Sequence, residues 1–263
     1  MKLPFCKYHG AGNDFILIDN RLGKYDLSED QIAKLCHRRF GIGADGLMRL
    51  GIGYEPFGFT MQYYNADGRE GTMCGNGGRC LVAFAHRLGI KNLQFRAIDG
   101  AHTASILKKE GNITTVRLQM IDINTLIKYD TASYVLNSGS PHLVRFVYKL
   151  EEVDVAKEGH FWRNHPDFKP QGLNVNFVEV KKDGSLAIFT YERGVEAETW
   201  ACGTGATASA VAAAVFKNSN TPHWEVQTLG GLLSVDFTRK GDTFSDVFLS
   251  GPACFICEGE AEI

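Results

Sequence analysis

The sequence predicts an α/β protein of two lobes built to one plan, and three observations predict it. Segments patterned as strands alternate with a few amphipathic helical ones. The order strand, polar turn, Cys-Gly-x-Gly, amphipathic helix occurs twice, with Cys202 following Cys74 by 128 residues. The 29 glycines against 7 prolines supply many tight turns and close backbone approaches, and 263 residues suit about two domains.

Residues 6–9 and 15–19 read as short strands around a turn at 10–14. Ser28 caps a helix, Gln31 completes a capping box, and Ile32, Leu35 and Cys36 share one face before Gly41 ends it. Residues 59–64 alternate as a strand and 65–68 turn the chain. After Cys74-Gly-Asn-Gly-Gly78 a helix carries Leu81, Phe84, Ala85 and Leu88 and closes at Gly89; strands follow over 93–120. In the second half, residues 132–137, 143–147, 176–180 and 186–191 read as strands, followed by Cys202-Gly-Thr-Gly205 and an Ala/Val-rich helix to about Lys217. Strands resume over 226–249, and the stretch 151–172 reads as surface loop with a short helix.

Charge and hydropathy narrow the function. With 28 Lys+Arg against 30 Asp+Glu, a net charge of −2 and no long block of one sign, the chain builds no field for nucleic acid or an anionic membrane. A small, roughly neutral or zwitterionic ligand is the expected partner. The longest apolar stretch, residues 206–216, falls short of the ~20 that a spanning helix needs. The N-terminus lacks the apolar core of a secretory signal, which places the protein in the cytoplasm. Seven cysteines at irregular spacing read as reduced thiols, mostly in the core.

The two Cys-Gly-x-Gly turns carry the chemistry. A cysteine just before a glycine-led helix sits among unpaired backbone N–H groups at the positive end of the macrodipole, which stabilises a thiolate. The glycines let a substrate carboxylate approach the same N–H groups. Inverting a carbon centre requires one group to take a proton from one face and another to deliver one to the opposite face. A thiolate and a thiol, one per lobe, suit that task. Cys80 falls in an apolar stripe and reads as core. Cys254 and Cys257 have C-x-x-C form in an apolar alternation, so both are expected to point into packing, and no second Cys/His pair completes a zinc site. No metal is therefore expected. Gly41-Ile-Gly-Ala-Asp-Gly46 fits the dinucleotide fingerprint literally, but it follows a helix instead of a strand and reads as a turn. Lys181 and Lys182 read as solvated, and His142, beside a strand in Ser140-Pro-His, is the most interesting histidine.

Taken together, His9-Gly-Ala-Gly-Asn-Asp-Phe15, Phe40-Gly-Ile-Gly-Ala-Asp-Gly46, Tyr64-Asn-Ala-Asp-Gly68, Cys74-Gly-Asn-Gly-Gly-Arg79, Gly139-Ser-Pro-His142, Tyr191-Glu-Arg-Gly194 and Ala201-Cys-Gly-Thr-Gly205 resemble the diaminopimelate epimerase family over essentially the whole chain. The resemblance implies a cofactor-independent isomerase of LL- and meso-diaminopimelate, with Cys74 and Cys202 as the base/acid pair. It implies that Asn13, Asn65, Asn174 and Arg193 hold the two amino-acid ends of the substrate, and that Gly75, Asn76, Gly203 and Thr204 clamp a carboxylate through helix N–H groups. His142 and Glu192 are implied to tune the cysteines and to orient the reacting amino group, Glu192 also touching substrate.

The implied fold is two pseudo-symmetric lobes, each a curved mixed sheet around a central helix, with the active site in the cleft between them. The first lobe is expected over residues 1–120 and 254–263, the second over 121–253. A homodimer is expected. Gly46 departs from the glutamine common at its position, Ser140 from asparagine, and one extra residue lies between Gly194 and Cys202. A proline or hydroxyproline racemase would need a small single-ended pocket, against which Arg193 and the asparagines argue. A redox-active cysteine pair in a binding protein, and a cysteine hydrolase using His142, are the remaining alternatives.

Overall fold

The computed structural model describes residues 2–71 and 73–263, and the chain forms two compact units, Met1–Leu118 with Gly251–Ile263, and Gln119–Ser250. The first unit runs β1 (Lys2–Gly10), β2 (Asn13–Asp19), α1 (Glu29–Cys36), β3 (Gly46–Ile52), β4 (Phe59–Asn65), α2 (Gly75–Arg87), β5 (Phe95–Ala97), β6 (Gly100–His102), β7 (Ala104–Glu110) and β8 (Ile113–Gln119). The second runs β9 (Leu126–Lys128), β10 (Ser133–Asn137), β11 (Pro141–Phe146), α3 (Val155–Arg163), β12 (Asn174–Val180), β13 (Leu186–Glu192), β14 (Ala197–Thr199), α4 (Gly203–Phe216), β15 (His223–Thr228) and β16 (Gly231–Lys240). The long strand β17 (Thr243–Glu262) begins in the second unit and ends in the first.

Each unit repeats one pairing scheme. In the first, β1–β2 is antiparallel, β2–β3 parallel, β3–β4 antiparallel, β4–β5 parallel and β5–β6 antiparallel. In the second, β10–β11, β11–β12, β12–β13, β13–β15 and β15–β16 follow in the same order of sense. Parallel pairs require crossovers, and α1 and α2 occupy the same places in this scheme as α3 and α4. The doubled sequence pattern therefore reflects a doubled topology.

Local chemistry sets these elements. Ala11 and Gly12 both take positive φ (52° and 87°), the two-residue hairpin that matches strand twist. Ser28 and Gln31 form the full capping box of α1. Gly89 (φ 84°) closes α2, and the Ile90 N–H bonds back to Ala85 O at 3.0 Å in a Schellman arrangement. Helix α2 is buried from Gly75 through Ala85 and packs on β1, β2, β3, β4 and β7. Helix α4, expected to be amphipathic like α2, is instead apolar on all sides, because it is buried among β10–β13, β15 and β16.

Three further expectations are corrected, and strand β3 had no readable signal. Helix α1 ends at Cys36, with His37 extended, well before Gly41; Gly41 is instead required because a Cβ there would lie 2.0 Å from Lys34 O. Strand β3 carries no alternating signal because its first five residues are all buried, as in strands covered on both faces. Cys254 is buried but Cys257 is exposed, since residues three apart on a strand face opposite ways. The stretch 151–172 holds more structure than expected: α3, capped by Asp154, and two short 3₁₀ turns.

Candidate active site

In the first unit Cys74 is the N-cap of α2, with extended backbone (φ −112°, ψ 119°) and no side-chain cap. Its thiol lies half-buried at the helix end where Gly75, Asn76, Gly77 and Gly78 are buried. The sulfur contacts Asn13 Oδ1 at 3.8 Å, and Asn76 Nδ2 donates to that oxygen at 3.4 Å. Asn13 Nδ2 donates to Asp45 Oδ2 at 2.7 Å, so a carboxylate, which can only accept, decides which end of the amide faces Cys74.

Behind Asn13 stands an ion cluster. Asp14 pairs with Lys7 at 2.6 Å and with Arg38 at 2.7 Å, and Arg38 reaches Asp45 at 2.6 Å. Burial pushes the Asp14 carboxyl up, but hydrogen bonds from Arg38 and Lys7 outweigh it and hold the group down at about 2.

Arg79, on the first turns of α2, is fully buried. Its guanidinium folds back to Asn76 Oδ1 at 2.9 Å and Gly75 O at 3.4 Å, and among the described residues no carboxylate pairs with it. Asn65 lies exposed at the end of β4. Its register partner, Gly46, has no room for a side chain: a Cβ there would sit 2.6 Å from both Tyr63 Cε2 and Tyr64 O. A contact reaching from that position is therefore built out of this chain.

The second unit places Cys202 as the N-cap of α4, again extended (φ −116°, ψ 112°) and uncapped by its side chain, with the residue 7% exposed. Its sulfur lies 3.4 Å from Thr204 Oγ1, which lies 2.9 Å from His142 Nε2 and 3.2 Å from Ser140 Oγ. His142 is fully enclosed. Burial, and secondarily the Arg193 charge, push its pKa down to about 3, so the imidazole is neutral at working pH.

Asn174 is buried and spends its amide on Arg193 N–H (2.8 Å), Ser140 Oγ (2.9 Å) and Pro141 O (3.2 Å). Glu192 ends β13 half-buried, and the Arg193 side chain, also half-buried, donates to Gln171 O at 3.4 Å. Gly203 is buried at the first position of α4, and Thr204 follows it.

The structure thus gathers Cys74, Asn13, Asn76 and Gly75 at one helix start, and Cys202, Gly203, Thr204, His142, Asn174 and Arg193 at or beside the other. Asn65 and Glu192 occupy matching strand ends, β4 and β13. Sequence reasoning did not single out Asn176, Asp45 or Ser138, whose hydroxyl donates to Thr204 O at 2.8 Å. Asn176 had a readable signal: Asn174-Val-Asn176 puts two amides on one face of an otherwise apolar strand. Asp45 had none, because its partner comes from another strand.

Of the remaining cysteines, Cys6, Cys36, Cys80 and Cys254 are buried core thiols, while Cys257 is exposed. Burial raises Cys36 to about 11 and pushes Cys6, Cys80 and Cys254 upward as well. Among the described residues no group of three or more His, Cys, Asp or Glu converges on a metal position, and no helix is long and apolar enough to cross a membrane.

Comparison with known proteins bears on this geometry. A family model described as diaminopimelate epimerase matches residues 5–121 and 134–256. The diaminopimelate epimerase of Flavobacterium psychrophilum is 47% identical, covering 97% of this chain and 99% of the relative. That of Chlorobaculum tepidum is 40% identical, covering 95% and 98%. Among solved structures, a Bacillus anthracis phenazine biosynthesis protein of the PhzF family superposes with a TM-score of 0.78 at 13% identity, each chain covered completely. A probable proline racemase from Agrobacterium radiobacter gives 0.67 at 13% identity, covering 99% of this chain and 92% of that one. Both share the α/β fold.

Proposed function

The chain belongs to the diaminopimelate epimerase family, and from that premise we propose how its residues invert one α-carbon of 2,6-diaminopimelate, between the LL and meso forms. It is an isomerase. The proline-racemase reading is supported only by shared fold at low identity, whereas the family match spans both units.

One cysteine, as thiolate, takes the α-proton and leaves its electron pair on carbon. The other, as thiol, delivers a proton to the opposite face of that carbon and becomes the thiolate. The observation that carries this reading is that Cys74 and Cys202 are equivalent N-caps of buried, glycine-led helices in two topologically repeated units. The N–H groups of Gly75 and Asn76, and of Gly203 and Thr204, meet the carboxylate at the reacting carbon and stabilise the developing negative charge. Asn13, Asn65, Asn174, Glu192 and Arg193 fix the two amino-acid ends of the substrate, Arg193 forking onto the distal carboxylate. The substrate is taken between the two cysteines, and the route uses only the chain's own side chains.

Incubation of the fully reduced enzyme with LL-diaminopimelate in deuterium oxide is expected to place one deuterium on the inverted α-carbon. Cys74→Ala and Cys202→Ala are each expected to lower turnover by about a hundred- to ten-thousand-fold, the usual worth of a positioned acid or base. Turnover that survives both replacements would sink the assignment. The proposal is completed by a cytoplasmic homodimer acting on a small molecule that feeds lysine and peptidoglycan precursors, with light scattering as the check on assembly.

A further inference from the structure

Around His142 the buried amides of Asn174 and Asn176 can be oriented from groups that have no choice. Asn176 is fully buried, and one of its amide hydrogens goes to Leu143 O at 3.2 Å. A backbone carbonyl only accepts, so that end of the side chain is the NH₂ group. Thr190 Oγ1 donates to the other end at 3.0 Å. The second amide hydrogen then points at His142 Nδ1, 3.0 Å away. Nδ1 must be the bare, accepting nitrogen, and the neutral ring carries its proton on Nε2.

Asn174 is fixed in the same way. Its Oδ1 accepts from the Arg193 N–H, its NH₂ faces Pro141 O, and it therefore donates to Ser140 Oγ. The His142 Nε2–H faces Ser140 Oγ and Thr204 Oγ1, each at 2.9 Å, and since neither Asn174 nor that N–H can accept, the Ser140 hydroxyl gives its own hydrogen to Thr204 Oγ1 at 3.2 Å. Among the described residues the hydrogen on Thr204 Oγ1 then goes to Cys202 Sγ, 3.4 Å away.

We propose that Asn176 is a positioning residue for the proton transfer: it fixes the His142 tautomer so that the Thr204 hydroxyl donates its hydrogen to Cys202 Sγ. Hydrogen bonding to the charged form of an acid favours that form, so the relay supports Cys202 as thiolate. His142 acts here as a donor and never as a base. Burial, and secondarily Arg193, keep the imidazole uncharged. The first turn of α4 holds no acidic residue to oppose the thiolate. Space enforces the arrangement as well, because a Cβ on Gly205 would lie 2.4 Å from Asn176 Oδ1.

The meaning of the relay for catalysis rests on the epimerase reading, but its test does not. In the reduced full-length protein, ¹⁵N spectra of the histidine rings, with His142 assigned by its loss in His142→Asn, are expected to show the Nε2–H tautomer at pH 7. The opposite tautomer or an imidazolium overturns the proposal. Iodoacetamide labelling resolved by peptide mass is expected to show the Cys202 midpoint rising by about one pH unit in Thr204→Val, with Thr204→Ser restoring it. Asn176→Asp, which cannot donate to Nδ1, is expected to match Thr204→Val. An unmoved midpoint in Thr204→Val overturns the relay, whether or not Asn176→Asp folds. Absence of deuterium exchange with diaminopimelate, alongside an intact tautomer and midpoint shift, would refute the epimerase reading and leave the relay standing.

Discussion

His142 ties stability to pH through a single buried ring. Its folded pKa is pushed down to about 3 while an unfolded histidine sits near ~6.5. Between those values the unfolded chain binds the extra proton, so stability is complete above about 6.5 and falls as the pH drops towards 3. Urea unfolding from pH 6.5 to pH 4 is expected to lose up to about 1.4 kcal/mol per pH unit from this group, and His142→Asn is expected to flatten that slope. Gly46 makes a second test at this scale. Gly46→Gln is expected to cost about 1–3 kcal/mol by overpacking against the Tyr63 ring and Tyr64 O, measured by urea midpoint. Cys74 and Cys202 were legible because each sits in the same short pattern of turn, cysteine, glycine and helix. Arg79 was visible only as a letter in that pattern. Its complete burial and its bond to Asn76 arise from the strands packed around α2, which no local spacing encodes.

Helix α2 was legible at the level of elements because its apolar spacing and Gly89 agree, and α4 because an Ala/Val run follows a glycine-led turn. What the sequence did not reveal is how closely strands approach them. Gly10, the last residue of β1, has α2 directly against it: a Cβ there would lie 2.8 Å from Asn76 O and 3.3 Å from the Cys80 sulfur. Backbone cannot move aside as a flexible side chain can. Gly10→Ala is therefore expected to cost about 1–3 kcal/mol and also to slow turnover, because the displaced residue, Asn76, belongs to the first turn beside Cys74. A variant with unchanged denaturant midpoint and unchanged rate would contradict this packing. Strand β3 shows the opposite limit, where burial on both faces removes the alternation on which recognition depends. Helix α1 shows a third: its start was legible from the capping box, but its end was not, because Gly41 serves a later close approach.

For the molecule as a whole, the repeated order of antiparallel and parallel pairs explains why one sequence grammar occurs twice. The route of the chain was less legible, since the repeat does not reveal that the final strand belongs to both units. Residues Gly251–Cys254 pair with β8, and Cys254–Glu262 pair with β1. Deleting residues 251–263 is expected to remove amide-exchange protection from β1 and β8 while β10–β13 keep theirs; equal protection in the shortened chain would show that the returning strand is dispensable.

That route also orders events during synthesis. Nascent domains usually mature from the N-terminus onward, but here residues 1–118 cannot complete their sheet until residues 251–262, synthesised after the whole of 119–250, supply its last strand. The part made first is the part finished last, so through most of translation β1 offers an open edge to any chaperone or neighbouring chain.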